Sequence, residues 1–468
     1  MSTKSPPEAA ARRTQRRARD FRRTVIVTIG VLSVAAAVLA VAGAFRAPRL
    51  DDASVAAATA LVSPGQRLVL QTDQAIRPVT AGDLTVTPDV PFDVEATDRT
   101  ITLHFTGMLR ALTDYSVVAT VVGAATGAEG TLSYEFSTPD LDVSVLRRDL
   151  EGPDQVIRGA VSSADSEVLF EADRIQEFAE TGYGVAAIIL DGDGSAGHLV
   201  IAPDGEDLVQ DVALPGVGIL GKLHSSDTTG LLGFTFIPAV PEGADPELLL
   251  FDPTDPSGST REVTGLDGQP VSVLDWTFVP GTAYLVVQTF DQSVLLIDTA
   301  TDAVPVPLGE HAELRGFIPG TVQLVVADPL SGSTIDLASG ETVPLELPLD
   351  GADEAAYRGK LLALDADRYV EIVYRTVPGG SFRLDYELLL VTPEGAEALD
   401  DPDAGTAIRD ICLSPNGQYV AVETSDPDGV PDEYPNLSSR TGTTTSFIDL
   451  MTGASHGSLM GFAPSWCD

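Results

Sequence analysis

Lysine is nearly missing from this 468-residue chain, which has only Lys4, Lys222 and Lys360 among its 28 basic residues. Cysteine and tryptophan occur twice each and histidine five times. No G-x-x-x-x-G-K-[ST] stretch is present, which excludes a P-loop phosphate cradle. Two isolated cysteines and five scattered histidines lack the ligand spacing of a zinc site. Basic residues of any kind are scarce beyond the N-terminus. Ten of the 28 basic but only two of the 69 acidic residues lie within the first 49 positions, so the rest carries a formal charge of −49. Phosphate neutralisation needs a basic footprint, and this surface excludes nucleic acid as a partner.

The basic residues that do exist crowd the start. Lys4, Arg12, Arg13, Arg16, Arg17, Arg19, Arg22 and Arg23 stand against Glu8 and Asp20 alone, and Thr24 to Phe45 holds no charge at all. At about 1.5 Å per residue that run spans roughly 33 Å, enough for a hydrocarbon core of about 30 Å. The positive-inside rule makes 1–23 a cytoplasmic tail, 24–45 a single transmembrane helix in the cell membrane, and the C-terminal region extracytoplasmic. A secretory signal shares the basic start, and Ala42-Gly43-Ala44 offers small residues for cleavage. Its apolar core is usually about 7–15 residues, shorter than this one. No cysteine lies nearby to take a lipid.

Beyond a linker at 46–59, Gly (43) and Pro (32) punctuate short apolar runs, the texture of an all-β region. Positions 60–140 alternate as half-buried strands do: Arg67–Gln71, Thr100–Phe105 and Asp114–Ala119. Tyr115 and Val117 fall on one strand face, Asp114 and Ser116 on the other. Turn signals at short intervals over about 80 residues suit a small β-sandwich. Leu109, Thr113, Tyr115 and Val117 fit L-x-x-x-T-x-Y-x-V, and Phe136-Ser137-Thr138 fits a closing F-x-T strand. In these motifs the block resembles SbsA-type bacterial Ig-like domains, a resemblance that implies a spacer or adhesive module.

The stretch 141–468 repeats itself. Trp276-Thr277-Phe278-Val279-Pro280-Gly281, Gly316-Phe317-Ile318-Pro319-Gly320 and Ile411-Cys412-Leu413-Ser414-Pro415-Asn416-Gly417 each precede an apolar strand and then a second one, Val294–Asp298, Ser333–Leu337 and Ser446–Leu450. Lys360–Leu364 with Tyr369–Val373, Leu231–Leu250 and Val185–Ile201 mark further units. A four-strand unit of about 40–45 residues is a β-propeller blade. Phe462-Ala463-Pro464-Ser465-Trp466 begins a seventh unit, whose outer strands are supplied by Val156–Arg158 and Val168–Phe170. Sharing one blade between the two ends removes open sheet edges. The Ser414–Gly417 turn and the Ala463–Trp466 ending resemble WD40-like (TolB-type) bacterial propellers. The expected fold class is thus an all-β extracytoplasmic region, an Ig-like sandwich followed by a seven-bladed propeller, behind one transmembrane helix.

Aligning Pro415 with Pro464 puts Cys412 and Cys467 near the first strands of neighbouring blades, and a disulfide is permitted outside the membrane. Two free thiols are the alternative, since sequence does not fix their geometry. Asp426, Asp428, Asp432 and Glu433 surround Gly429 and are candidate calcium ligands; Asp191-Gly192-Asp193-Gly194 is a smaller version. Asp-Gly pairs are equally the chemistry of hairpin turns. Gly453-Ala454-Ser455-His456-Gly457 matches G-x-S-x-G, but no histidine follows His456 to complete a hydrolase order. No catalytic or cofactor-binding residue is identified. The leading expectation is a membrane-anchored scaffold whose propeller face binds a protein or cell-wall ligand. The alternative is a propeller enzyme that hydrolyses a carbohydrate or peptide with channel-mouth carboxylates.

Overall fold

The computed structural model describes residues 21–38 and 46–467, apart from 193, 206–208, 256–257, 302, 330, 346–356, 377–383, 401, 403–404 and 427. Most of the expected tail, the end of the expected span at 39–45, Asp193 and Pro427 fall outside the described residues. Phe21–Val38 is one apolar helix, exposed along its length, and is long and apolar enough to cross a membrane. A signal sequence meets the same description.

The chain divides into two compact units. The smaller one contains 66–106 and 114–137 and forms two antiparallel sheets, each with one buried face. In the first, Leu68, Leu70, Ile101, Leu103 and Phe105 alternate with exposed or half-buried neighbours; in the second, Tyr115, Val117, Ala119 and Val121 do the same. Period-two burial is what a strand with one wet face requires. One expectation needs correction. Leu50–Val55, read as linker, is an edge strand paired to Arg67–Thr72. Its Asp51 and Asp52 are exposed, and charge on an edge discourages pairing with another chain.

The larger unit is a β-propeller built from 138–468, joined by 57–65 and 107–113. The last two stretches had been expected in the linker and sandwich. For 107–113, the Asn416 amide donates to Leu109 O at 3.0 Å and the Ala111 amide to Gln418 Oε1 at 2.7 Å; 57–65 is joined to it by Leu109 N, which donates to Ala60 O at 2.7 Å. Among the described residues seven sheets follow one another: sheet 1 at 142–172, sheet 2 at 175–211, sheet 3 at 218–262, sheet 4 at 273–310, sheet 5 at 313–345, sheet 6 at 357–400 and sheet 7 at 407–460. Sheets 2 to 7 are four-stranded antiparallel meanders, and sheet 1 has three strands. Leu146 and Phe462 exchange backbone hydrogen bonds of 2.8 and 3.0 Å, and Ser465 N donates to Ser144 O at 2.9 Å. The C-terminal segment therefore lies along Asp142–Arg147 in the place of a fourth strand.

Apolar cores lie between consecutive sheets. Ile188, Leu199 and Ile201 of sheet 2 pack with Leu220, Phe234 and Phe236 of sheet 3; Leu248 and Leu250 meet Trp276 and Leu285 in the next layer. Both faces of the middle strands are covered, which is why Val185–Leu190 reads as a continuous apolar run. The first strands of sheets 2 to 7 contact one another in order and so surround the axis of the propeller.

Candidate functional site

Each of these six first strands breaks register once. The irregularities fall at Gln176, at Lys222-Leu223, at Leu274, at Arg315-Gly316, at Gly359-Lys360 and at Arg409. A β-bulge leaves a residue out of the ladder and re-aims its side chain. Four of the six bulges carry a basic residue and none an acidic one. Lys222 and Lys360, the two lysines beyond the tail, both sit there. Lys222 Nζ is 2.6 Å from Asp275 and Lys360 Nζ 2.7 Å from Asp410, each aspartate on the next first strand. Arg315 pairs with Glu313 at 3.1 Å.

One connection differs from the rest. Asp426 and residues 428–443, between strands Tyr419–Ser425 and Thr444–Asp449 of sheet 7, form a strap. It is a small hairpin of its own: Thr441 N donates to Val430 O at 2.9 Å, and Ser439 N to Asp432 Oδ2 at 2.9 Å. The strap touches three sheets in turn. Asn436 Nδ2 donates to Leu220 O of sheet 3 at 3.2 Å; Leu437 O accepts from Arg148, just past the first strand of sheet 1, at 2.7 Å; Ser438 O accepts from Arg409 of sheet 7 at 3.3 Å. The strap therefore bridges sheets 3, 1 and 7.

Arg148 fixes the strap. Its side chain is 4% exposed and faces the Asp432 carboxylate, itself 3% exposed, at 2.5 Å. It also donates to Ile175 O at 3.1 Å and Gln176 O at 2.8 Å, and its guanidinium lies 3.5 Å over the Tyr434 ring. Burial pulls the Arg148 guanidinium below its ordinary value, and Asp432 opposes the shift. The Tyr434 hydroxyl donates to Asp154 at 2.5 Å, and Asp154 also accepts from Ile175 N at 2.8 Å. Burial raises the Asp154 carboxyl despite these bonds. Two charges this deep are tolerable only when paired and hydrogen-bonded, as here.

Other polar groups are committed nearby. Glu423, 8% exposed, accepts from Ala463 N at 2.7 Å and so holds the C-terminal segment. Burial, and then the charge of Asp410, push its carboxyl up to about 7. Glu177 accepts from Leu223 N at 2.9 Å, and burial raises it as well. Gln176 and Ser144 are fully buried, and among the described residues neither the Gln176 side-chain amide atoms nor Ser144 Oγ has a hydrogen-bond partner.

Cys412 and Cys467 form a disulfide, with Cα atoms 5.3 Å apart. The four expected calcium ligands are not gathered into one site. Asp432 faces Arg148, Asp426 Oδ1 accepts from the Asp428 amide at 2.8 Å, and Glu433 is exposed at a positive φ of 59°. Among the described residues no three His, Cys, Asp or Glu side chains are grouped to hold a metal. The Asp191 turn is closed by Arg174, which donates to Gly192 O at 3.1 Å. His456 packs edge-on to Tyr419 at 5.4 Å, and Ser455 is exposed at the start of a strand. Sequence reading missed the bulges and Arg148. Arg147-Arg148, the one adjacent arginine pair beyond the tail, is the hint the sequence offers.

No protein-family model and no curated protein matches the chain. Among solved structures it is similar to TolB from Acinetobacter baumannii, at 11% identity over 82% of this chain and 83% of that one, with a TM-score of 0.36. It is also similar to the β-propeller domain of the Trilobed protease from Pyrococcus furiosus, at 10% identity over 72% and 90%, with a TM-score of 0.41. A putative 6-phosphogluconolactonase from Bacteroides uniformis gives 12% identity over 69% and 98%, with a TM-score of 0.42.

Proposed function

We propose that this chain is a membrane-anchored, extracytoplasmic binding protein. The helix Phe21–Val38 is its uncleaved anchor, with the basic residues before it in the cytoplasm. The smaller unit is an Ig-like spacer. The larger is a seven-bladed propeller whose sheet 1 is completed by the C-terminal segment, and its strapped face takes a protein or cell-wall ligand.

The observation that carries this reading is the commitment of the carboxylates around the axis. Asp275 is held by Lys222, Asp410 by Lys360, Asp432 by Arg148, Glu177 by the Leu223 amide and Glu423 by the Ala463 amide. A glycosidase needs two carboxyls about 5–10 Å apart, free to face one sugar bond. Here the acids build the ring and fasten its ends. The hydrolase alternative draws on Glu423, whose value of about 7 suits a general acid. Its burial and its grip on Ala463 favour a structural role.

Cross-linking at the surface of intact cells, followed by purification of the full chain from solubilised membranes, tests the proposal. It is run beside a variant with glycine at residues 434–438. A partner enriched with the natural chain and lost with the variant supports it. Release of glycan or peptide fragments from cell walls by the purified chain replaces it with the hydrolase reading.

A further inference from the structure

Beside the strap, a small open cleft of about 40 Å³ is bounded by Arg147, Arg148, Arg440, Leu150, Met460 and Asp432, among others. The single carboxylate in that lining, Asp432, is already paired to Arg148. Arg147 and Arg440 are different. Among the described residues neither lies within ion-pair distance of a carboxylate, although Asp and Glu together number 69. Arg147 is steadied by Gln155 and Arg440 by Gly429 O, to which its Nε donates at 3.0 Å. Both are half-buried, so their remaining N–H groups are partly withdrawn from water. Leu150 and Met460 are 56% and 60% exposed and form an apolar wall to the same cleft.

We infer that this cleft binds a compact organic anion, its carboxylate or phosphate head held by Arg147 and Arg440 and its apolar part laid against Leu150 and Met460. The inference rests on the reading of the strapped face as a binding surface and names the chemistry it takes. The guanidinium is planar and weakly hydrated, and it offers paired N–H groups that match an oxyanion. Three arginines against one aspartate make the lining positive, inside a region whose formal charge is −49. The outer repulsion is screened beyond about 8 Å at physiological ionic strength, so it slows approach without cancelling the local pairing. The apolar wall accounts for a body behind the charge, since a bare inorganic ion would leave Leu150 and Met460 uncovered.

The test is calorimetric titration of the full chain in detergent micelles, at constant ionic strength, with benzoate, phenyl phosphate, acetate and inorganic phosphate. Arg147→Gln, Arg440→Gln and a distant control, Arg261→Gln, are titrated in the same micelles. One aromatic anion is expected to bind at least tenfold more tightly than its bare head group, and which one it is identifies the head. Arg147→Gln and Arg440→Gln should each weaken binding about tenfold or more, with Arg261→Gln unchanged. Unfolding curves establish that the variants are folded, and Arg147→Gln stands by itself if Arg440→Gln disturbs the strap. Absence of saturable binding to all four anions overturns the inference, as does binding that ignores both arginines. A partner captured at the cell surface without anion binding would remove the anion inference and leave the binding role. Anion binding without such a partner would keep the anion inference and overturn only the protein or cell-wall ligand.

Discussion

Replacing Cys467 with serine opens the ring at its seam. Cys467 follows the segment that pairs with Ser144 and Leu146, and its partner Cys412 is buried in the first strand of sheet 7. The bond therefore ties the closing segment to the last sheet. A cross-link across 55 residues restricts the unfolded chain by about 4 kcal/mol in the loop-entropy model. Spread over a unit of about 350 residues, at roughly 2.1 cal/mol/K of unfolding entropy per residue, that corresponds to a drop of about 6 °C. Differential scanning calorimetry of the natural chain and Cys467→Ser measures it. Mass spectrometry of the non-reduced natural chain confirms that the bond is present. Hydrogen exchange in the backbone of 462–466 should rise in the variant before that of Ala407–Leu413, because the closing segment loses its tether first. Equal melting points with the bond present in the natural chain would refute the reasoning, as would unchanged exchange in 462–466.

Three further outcomes follow from the same contacts. Glu423 has a folded value of about 7 against an ordinary 4.5, so the folded chain holds its proton longer than the unfolded one. Stability from this group is present at low pH and is lost as pH rises through 4.5 to about 7, by up to roughly 3 kcal/mol. Glu423→Gln should remove that slope and be more stable than the natural chain at pH 8, as read by urea unfolding at pH 5 and 8. Arg148→Met leaves the Asp432 charge buried and unpaired, which should cost about 3–5 kcal/mol; faster proteolysis within the strap is its local sign. At Gly233 an added Cβ would lie 2.2 Å from the Trp276 ring, which is 2% exposed. Gly233→Ala should therefore cost about 1–3 kcal/mol and shift the fluorescence of one of the two tryptophans. An unchanged emission spectrum and melting point would contradict that packing.

What could be read from the sequence was local. The alternation in Thr100–Phe105 and Asp114–Ala119 and the apolar runs after the Pro280, Pro319 and Pro415 turns each follow from a few neighbouring residues, and strands stand at all of them. Repetition also placed Phe462 beside the N-terminal strands and brought Cys412 to Cys467. What escaped depends on distant partners. Asp432 looks like a calcium ligand because acids around a glycine serve ion loops and turns alike, while the arginine that engages it lies 284 residues away. The grouping of 107–113 with the propeller rests on contacts across 307 residues. The bulges were invisible for another reason: a one-residue slip in a first strand changes which face a side chain takes without changing composition. The small residues of 46–59 suggest a linker, and Leu50–Val55 is a strand because Arg67–Thr72 pairs with it.

Everything proposed for the strapped face requires the propeller to stand outside the membrane, held there by Phe21–Val38. Spheroplasts carrying the full chain with an epitope at each end, treated with external protease, test that requirement most directly. The account predicts that the C-terminal epitope is lost, while a short N-terminal fragment survives in the membrane pellet until detergent is added. Survival of the C-terminal epitope in intact spheroplasts would contradict the topology. Recovery of a soluble chain that lacks the N-terminal epitope would contradict the anchor.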